Sequence, residues 1–317
     1  MNDKKQPVLI VAGPTASGKS GLALAIAVEF DGVVINADSM QVYSELRVLT
    51  ARPSPEDEAR APHRLYGVLP ASEVCSAGRW RDMALAEIES AHAVGKLPIV
   101  CGGTGLYLKA LTEGLSPMPD VPDDIRERVR ARLTAEGAET LHRELSARDP
   151  AISKRLEPAD GQRIVRALEV LEATGRPLSE WQADPAPGPP AGLRFATILL
   201  TPPREELYAR CDLRLEAMLD EGALDEVRRL NAMGLAPDLP ATRALGVKAF
   251  SDYLAEYITL EQALTDAQQS TRNYAKRQFT WFRHKIVADT TVSAQFSESL
   301  LPKIFSFVRH FILTHKD

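Results

Sequence analysis

The segment Gly13-Pro-Thr-Ala-Ser-Gly-Lys-Ser20 is the strongest indication of the fold in this sequence. It follows a short apolar run at residues 8–12 that predicts a β-strand, and it opens a helical pattern at residues 21–30. The spacing fits G-x-x-x-x-G-K-[ST], a loop whose backbone N–H groups curl around phosphate oxygens at the start of a helix. We therefore predict a phosphate-binding loop, with a functionless glycine turn as the alternative.

Within this loop, Lys19 is expected to reach the terminal phosphate and the hydroxyl of Ser20 to bind Mg²⁺. The loop does not identify the reaction, because kinases, motor ATPases and transferases with a phosphate leaving group all use it. The residues predicted to bind phosphate are Gly13, Pro14, Thr15, Ala16, Ser17, Gly18, Lys19 and Ser20.

Three further apolar runs predict strands, at residues 33–37, 97–101 and 195–200. Strands that alternate with helical stretches predict a parallel sheet with crossover helices. Such sheets bind ligands at the carboxyl ends of their strands. Asp38 and the Gly102-Gly-Thr-Gly-Leu-Tyr107 segment directly follow two of these strands, so both should lie near the phosphate loop. Taken alone, Asp38 could be a helix N-cap and the glycines a plain turn.

Two proline-rich segments, at residues 116–122 and 183–191, enclose a charged stretch without a strand pattern. We interpret this stretch as an all-helical insertion in an α/β, P-loop NTPase-like core. After Pro203 the pattern is helical to the C-terminus. The predicted domain bounds are 1–116 for the first part of the core, 117–191 for the insertion and 192–317 for the second part with C-terminal helices.

Composition excludes several classes of protein. The 317 residues carry 38 Lys+Arg against 43 Asp+Glu, a net charge of −5, which argues against a histone-like DNA binder but not against a local basic groove. The 3 cysteines form no CxxC pair, so no disulfide framework or zinc ribbon is indicated. No apolar run approaches a membrane span or a signal-peptide core. We expect a reduced, cytoplasmic monomer without membrane contact.

Six motifs in chain order resemble the tRNA dimethylallyltransferase (tRNA isopentenyltransferase) family. Each is modest alone, but together they run in the family's order from residue 8 to residue 283. They are Gly13–Ser20, Asp38-Ser-Met-Gln-Val-Tyr43, Gly102–Tyr107, Gln162-Arg-Ile-Val-Arg-Ala-Leu-Glu169, Thr242-Arg-Ala-Leu-Gly246 and Ala275-Lys-Arg-Gln-Phe-Thr-Trp-Phe-Arg283. The resemblance implies transfer of a dimethylallyl group from dimethylallyl diphosphate to N6 of the adenosine 3′ of the anticodon in tRNAs, giving N6-isopentenyladenosine and diphosphate.

The resemblance also implies roles for single residues. Asp38 would accept the proton of the adenine amine as general base. Lys19, the loop N–H groups and Mg²⁺ at Ser20 would stabilise the departing diphosphate. Thr104 resembles the family's threonine near the reacting centre, and Arg214 its diphosphate-binding arginine. Without the family, Arg214 would be interpreted as a solvated helix arginine.

An acid-free stretch, residues 267–288, carries cations and aromatic side chains at helical spacing. A solvated basic face is the plain alternative to RNA binding, but phosphates need cations and bases need stacking surfaces. On a helix, Ala275, Phe279, Phe282 and Ile286 would form an apolar stripe beside these cations. The resemblance implies tRNA contacts at Asp38, Ser39, Met40, Gln41, Thr104, Arg126, Gln162, Arg163, Ile164, Val165, Arg166, Arg243, Lys248, Lys276, Arg277, Gln278, Trp281 and Arg283.

Departures from the family pattern are local. Ser20 stands where Thr is more usual, and Leu49 stands where a glycine is common. The chain has no cysteine after Cys211, so the zinc finger of eukaryotic members is absent and the resemblance is to bacterial members. Three other functions stay open at this point: a P-loop kinase for a small molecule, a prenyltransferase for free adenine nucleotides, and a non-enzymatic RNA-binding module.

Overall fold

The structure, a computed structural model, describes residues 5–314, and the strands in this range form one parallel sheet. They are β1 (Gln6–Ala12), β2 (Gly32–Asn36), β3 (His63–Arg64), β4 (Leu97–Gly102), β5 (Leu193–Leu200) and β6 (Thr290–Val292). Their order across the sheet is β3-β2-β4-β1-β5-β6, and every neighbouring pair runs parallel. The predicted α/β class with a parallel sheet is confirmed.

The helices follow the predicted alternation with the strands. They are α1 (Lys19–Glu29), α2 (Pro55–Arg60), α3 (Ala77–Ala93), α4 (Gly105–Thr112), α5 (Asp123–Glu136), α6 (Ala138–Arg148), α7 (Pro150–Ser153), α8 (Gly161–Thr174), α9 (Leu178–Ala183), α10 (Arg204–Asp220), α11 (Ala223–Ala232), α12 (Val247–Leu254), α13 (Leu260–Lys285) and α14 (Leu301–Leu313). None of these helices has the length and apolar character that a membrane crossing needs, within the described residues.

Strand β1 lies inside the sheet and is buried on both faces. Leu9 and Val11 pack into the cluster that includes residues of α1 and α14, whereas Val8 and Ile10 pack into the cluster on the opposite face. A strand covered by helices on both sides reads as an unbroken apolar run rather than an alternating one. This is why residues 8–12 predicted the strand so clearly.

Edge strand β6 corrects the prediction that the chain is helical throughout after Pro203. Residues 290–292 pair in parallel with the end of β5. Asp289 anchors the start of this strand, because its carboxylate accepts the N–H of Thr197 at 2.8 Å and its N–H donates to the Thr197 carbonyl at 3.0 Å. A half-exposed edge strand of three residues gives too weak an apolar pattern to be recognised from sequence.

The chain divides into two compact units, of which Glu113–Gly188 is one and the residues on either side form the other. The bounds of the first lie a few residues before the predicted insertion bounds of 117 and 191. In the described residues of this unit all regular elements are helices, α5 to α9. Val129, Leu141 and Leu168 lie at its centre and are fully buried, so the unit has a hydrophobic core of its own.

Candidate active site

Three segments converge at the carboxyl edge of the sheet, where β1, β2 and β4 end. Ala12 pairs with Gly102 across β1 and β4, and Asn36 pairs with Cys101 across β2 and β4, so the strand ends lie side by side. The phosphate loop follows β1, Asp38 follows β2 and the glycine turn, residues 102–105, follows β4. The structure therefore brings together the loop, Asp38 and Thr104.

A cavity of about 490 Å³, here called the first cavity, opens beside the phosphate loop. Its wall combines loop residues with Asp38 and with two arginines of α10. The lining residues are Thr15, Ala16, Gly18, Lys19, Ser20, Asp38, Gln41, Thr50, Ala51, Arg210, Leu213 and Arg214. The cavity thus presents three cationic side chains and one carboxylate.

The cations of the first cavity are suited to a bound anion. Burial lowers the pKa of Lys19 and of Arg214, because the charged forms lose contact with water. The Arg214 guanidinium donates to Thr15 Oγ1 at 2.5 Å, but its buried Nε finds no acceptor among the described residues. A buried donor without an acceptor is costly, and a phosphate oxygen in the cavity would supply one.

Asp38 is held in place by hydrogen bonds within residues 36–40, here called the Asp38 loop. Its backbone N–H donates to Asn36 Oδ1 at 2.8 Å, and its Oδ1 accepts the N–H of Met40 at 3.0 Å. Asn36 is fully buried and also donates from Nδ2 to the carbonyls of Asp38 and Leu65, both at 3.0 Å. The bond to Met40 is a turn contact, and no helix begins at Asp38, so the N-cap alternative does not apply.

Thr104 lies opposite this loop and is tied to it by three hydrogen bonds. Its Oγ1 accepts the N–H of Ser39 at 2.9 Å and donates to Ser39 Oγ at 3.3 Å, while its own N–H donates to the Ala37 carbonyl at 3.2 Å. Burial raises the pKa of the nearby Tyr274 phenol. The glycine turn and the Asp38 loop therefore form one linked structure.

A second cavity, of about 250 Å³, is also lined by Asp38. It shares Thr15, Asp38, Thr50 and Arg214 with the first cavity. Its remaining lining is largely apolar, with cations and a tyrosine, and consists of Ser39, Met40, Leu49, Leu215, Met218, Arg243, Ala244, Leu245, Thr271, Tyr274 and Arg277. Asp38 is the one carboxylate in these two linings.

Glu226 supports the wall that the two cavities share, and the sequence analysis missed it. Its buried carboxylate accepts three successive backbone N–H groups, from Arg47 at 2.5 Å, Val48 at 2.8 Å and Leu49 at 2.9 Å. Gln41 braces the same loop by donating to the Thr50 and Ala51 carbonyls. Glu226 is far away in sequence, so no local pattern could have paired it with this loop.

Gly102 must be a glycine because the Asp38 loop passes directly over it. A methyl group at Gly102 would lie 2.2 Å from both the carbonyl carbon and the oxygen of Ala37. We expect Gly102→Ala to lower the free energy of unfolding by about 1–3 kcal/mol, as overpacking does. Urea unfolding measures this loss through the transition midpoint.

Gly78 provides the matched control for that substitution. It lies near the start of α3, and the nearest heavy atom to an added methyl group would be 3.9 Å away. Gly78→Ala should leave stability unchanged or raise it slightly, since alanine is the better helix former. Equal losses in both variants would show that the Ala37 contact is not the cause.

Several residues predicted to contact tRNA have buried side chains in this structure, and their tRNA contacts stay predictions. Ile164 and Val165 are buried in the hydrophobic core of the insertion unit. Helical periodicity puts them on the inner face of α8, while Gln162 and Arg163 are exposed. Gln278 is also buried, with both side-chain polar atoms bonded inside the protein.

The apolar stripe predicted on α13 is also only partly correct. Ala275 and Phe282 are buried, but Phe279 is half-buried, and Ile286 lies beyond the helix end at Lys285. Trp281 packs against the glycine turn, where a methyl group at Gly105 would lie 2.3 Å from its ring. The ring is half-buried, and its role as an RNA-stacking surface stays a prediction.

The predicted cations fall into three groups. Arg243 and Arg277 line the second cavity, and Arg277 also lies over the ring of Tyr274. Lys276 and Arg283 are exposed on α13. The others form ion pairs: Arg126 with Asp123, Arg163 with Asp160, Arg166 with Glu169 and Lys248 with Asp252.

The donor set near the loop fits a magnesium ion that is shared with a substrate. In the part of the chain that the structure describes, no cluster of three or more His, Cys, Asp or Glu side chains could hold a metal ion by itself. Ser20 and Asp38 both line the first cavity. Mg²⁺ keeps several waters and takes ligands from substrate phosphates, so few protein oxygens suffice.

Comparison with known proteins adds to this geometry. The family model described as IPP transferase matches residues 41–285. The tRNA dimethylallyltransferase of Rhodospirillum centenum is 57% identical over 283 residues, which cover 89% of this chain and 90% of the relative. That of Paramagnetospirillum magneticum is 52% identical over 314 residues, 99% of each protein.

Solved structures agree with the sequence relatives. The tRNA isopentenylpyrophosphate transferase from Bacillus halodurans superimposes with a TM-score of 0.70 and 32% identity, covering 98% of this chain and 97% of that chain. A eukaryotic dimethylallyltransferase described as acting on tRNA gives a TM-score of 0.79 and 28% identity, covering 97% of this chain and 79% of that chain. Fold and sequence therefore point to the same group of proteins.

Proposed function

Because the chain belongs to the IPP transferase family of tRNA dimethylallyltransferases, we propose that it transfers a dimethylallyl group from dimethylallyl diphosphate to N6 of the adenosine 3′ of the anticodon. The observation that carries this proposal is that Asp38 lines both cavities. The diphosphate would occupy the cationic first cavity. The adenine would then approach Asp38 through the second cavity, whose lining includes Arg243 and Arg277.

The chemistry follows from these positions. The amine nitrogen of adenine attacks the first carbon of the dimethylallyl group, the new C–N bond forms, and the C–O bond to diphosphate breaks. Because the amine lone pair is delocalised into the ring, it is a weak nucleophile, and the Asp38 carboxylate takes its proton as the bond forms. The bonding electrons leave with the diphosphate, whose charge Lys19, Arg214 and the loop N–H groups stabilise.

We propose Mg²⁺ as the cofactor, held by the Ser20 hydroxyl together with substrate oxygens. When bound, the ion neutralises charge on the diphosphate. Lys19 and Arg214 act on the same anion from the protein side, and Thr15 fixes the arginine through its hydroxyl. Thr104, hydrogen-bonded to Ser39 beside Asp38, is positioned near the reacting amine.

The target adenosine must leave its stack to reach Asp38. Flipping a base out costs a few kcal/mol, and less in a loop than in a duplex. Exposed cations of α13, among them Lys276 and Arg283, are available to phosphates of the anticodon stem-loop. We propose that the protein acts on tRNA as a cytoplasmic monomer.

Transfer of label tests this function directly. The protein is mixed with Mg²⁺, unmodified tRNA and dimethylallyl diphosphate labelled in its five-carbon group, and we expect the label to enter the tRNA. AMP replaces tRNA in a parallel reaction and should stay unlabelled. Label in AMP alone would indicate a nucleotide prenyltransferase. Transfer of the ATP γ-phosphate to a small acceptor, with no label in tRNA, would indicate a kinase.

Lys276→Ala tests the proposed phosphate contacts of α13. We expect the slope of log Kd for tRNA against log salt concentration to fall by about 0.9, the value for one phosphate contact on a duplex. The Kd for dimethylallyl diphosphate should not change. Lys303→Ala, an exposed lysine on α14, is the control and should keep the wild-type slope. An unchanged slope in Lys276→Ala would remove this lysine from the interface.

A further inference from the structure

Helix α13 has an inner face that contacts two residues of the glycine turn. Gln278 hydrogen-bonds Gly103, and Trp281 packs on Gly105. Residues at positions i and i+3 lie on one face of a helix, so a single face makes both contacts. The neighbouring face of the same helix carries the exposed cations.

Gln278 is the member of this face that reaches two catalytic segments at once. Its Nε2 donates to the Gly103 carbonyl at 2.8 Å, and its Oε1 accepts the N–H of Thr15 at 2.8 Å. The side chain is only 6% exposed. A glutamine amide supplies one donor side and one acceptor side, which is what a carbonyl and an N–H in these positions require.

Gly103 lies so close to the Gln278 amide that no side chain fits between them. A methyl group at Gly103 would lie 2.3 Å from Gln278 Nε2 and 3.4 Å from its Cδ. Real Cβ atoms do not approach other atoms so closely, so the glycine and the glutamine depend on each other. The same turn continues directly into Thr104.

The contact with Thr15 extends to the diphosphate site. Gln278 holds the backbone N–H of Thr15, and the hydroxyl of Thr15 accepts the hydrogen bond from Arg214. Thr15 lines both cavities together with Arg214. Gln278 is thus linked, through Thr15, to Arg214, which lines both cavities.

We propose that Gln278 is a positioning residue that aligns the diphosphate site with the Thr104–Asp38 side of the reaction centre. The inference rests on the proposed prenyl transfer and assigns Gln278 a role other than tRNA contact. The amide touches neither substrate. It fixes the distance between the leaving group and the acceptor amine by joining the two loops that hold them.

Gln278→Met removes both hydrogen bonds and keeps the length of the side chain. We expect the rate with both substrates saturating to fall about 100-fold, the effect of a displacement of about 1 Å between reacting groups. The Kd for tRNA, measured separately by filter binding, should not change. Gln262→Met is the matched control, because this glutamine lies on the same helix and is exposed, bonded only to Asp266 through its side chain.

A tRNA contact would give the opposite pattern. Loss of one base contact raises the Kd for tRNA by roughly 5- to 150-fold and leaves the saturated rate near that of the wild type. That result, or a variant equal to the wild type in both measurements, would overturn the proposal. Wild-type protein that transfers no label in the same series would instead refute the proposed function.

Gly103→Ala disrupts the same contact by changing the glycine instead of the glutamine. It replaces Gln278→Met in the test if thermal melting shows that Gln278→Met does not fold. Its methyl group displaces the amide, so we expect the same loss of rate with unchanged tRNA binding. The double variant, Gly103→Ala with Gln278→Met, should be no slower than the slower single variant, since both remove one contact. Losses that multiply in full would contradict the proposed link.

Discussion

Replacing Asp38 by asparagine should lower the rate of prenyl transfer by about 10²- to 10⁴-fold, the contribution of a general base. Asparagine has the same shape, and its Oδ1 can still accept the N–H of Met40 that now bonds the Asp38 carboxylate. The clamp from Asn36 acts on the backbone of Asp38 and is unaffected. The substitution therefore removes the base and keeps the loop.

Single-turnover kinetics with prebound tRNA measures this step, and filter binding measures tRNA affinity. The affinity should change far less than the rate. Asp225→Asn is the control, because Asp225 is an exposed carboxylate on α11 that pairs only with a surface arginine, Arg228. If Asp38→Asn lost tRNA affinity as strongly as rate, Asp38 would be a base-positioning residue instead of the proton acceptor.

Lys19→Met should lower the rate about 10²- to 10³-fold, the cost of removing one preorganised donor from a developing oxyanion. Lys19 lies in the wall of the first cavity, and its Nζ donates to the Pro14 carbonyl at 3.2 Å. Burial lowers its pKa, so the site holds this cation at a cost that a bound diphosphate would offset. Methionine keeps the length and removes the charge.

The measurement for Lys19→Met is the saturated rate together with the Kd for inorganic diphosphate. Both should worsen, while the Kd for tRNA stays near its wild-type value. Lys96→Met removes a surface lysine that pairs with Asp31 and should behave as the wild type. A Lys19→Met variant with normal diphosphate binding and normal rate would show that the leaving group lies elsewhere.

Much of the fold could be predicted because its main elements have strong local patterns. The phosphate loop needs glycine, lysine and a hydroxyl at fixed spacing, and the strands buried on both faces appear as unbroken apolar runs. Strand β6 could not be predicted, since Thr290–Val292 is short and half-exposed and is defined by its pairing with β5.

Only the site residues that belong to recognisable sequence motifs could be predicted from the sequence. Asp38, Thr104 and the loop could be placed at one edge of the sheet, because parallel strand ends converge there. Glu226 and Gln278 act through hydrogen bonds to residues far away in the chain, and the sequence next to them has no pattern that indicates these bonds. The tRNA assignments of Ile164 and Val165 stay predictions, although both side chains are buried on the inner face of their helix.

Locating the transferred group on the tRNA tests the proposed reaction. Wild-type protein, dimethylallyl diphosphate, Mg²⁺ and unmodified tRNA are incubated, and nuclease fragments of the product are analysed by mass spectrometry. We expect one added five-carbon group on the adenine 3′ of the anticodon, with an equal amount of diphosphate released. An unmodified anticodon loop, or the group on another nucleotide, would contradict it.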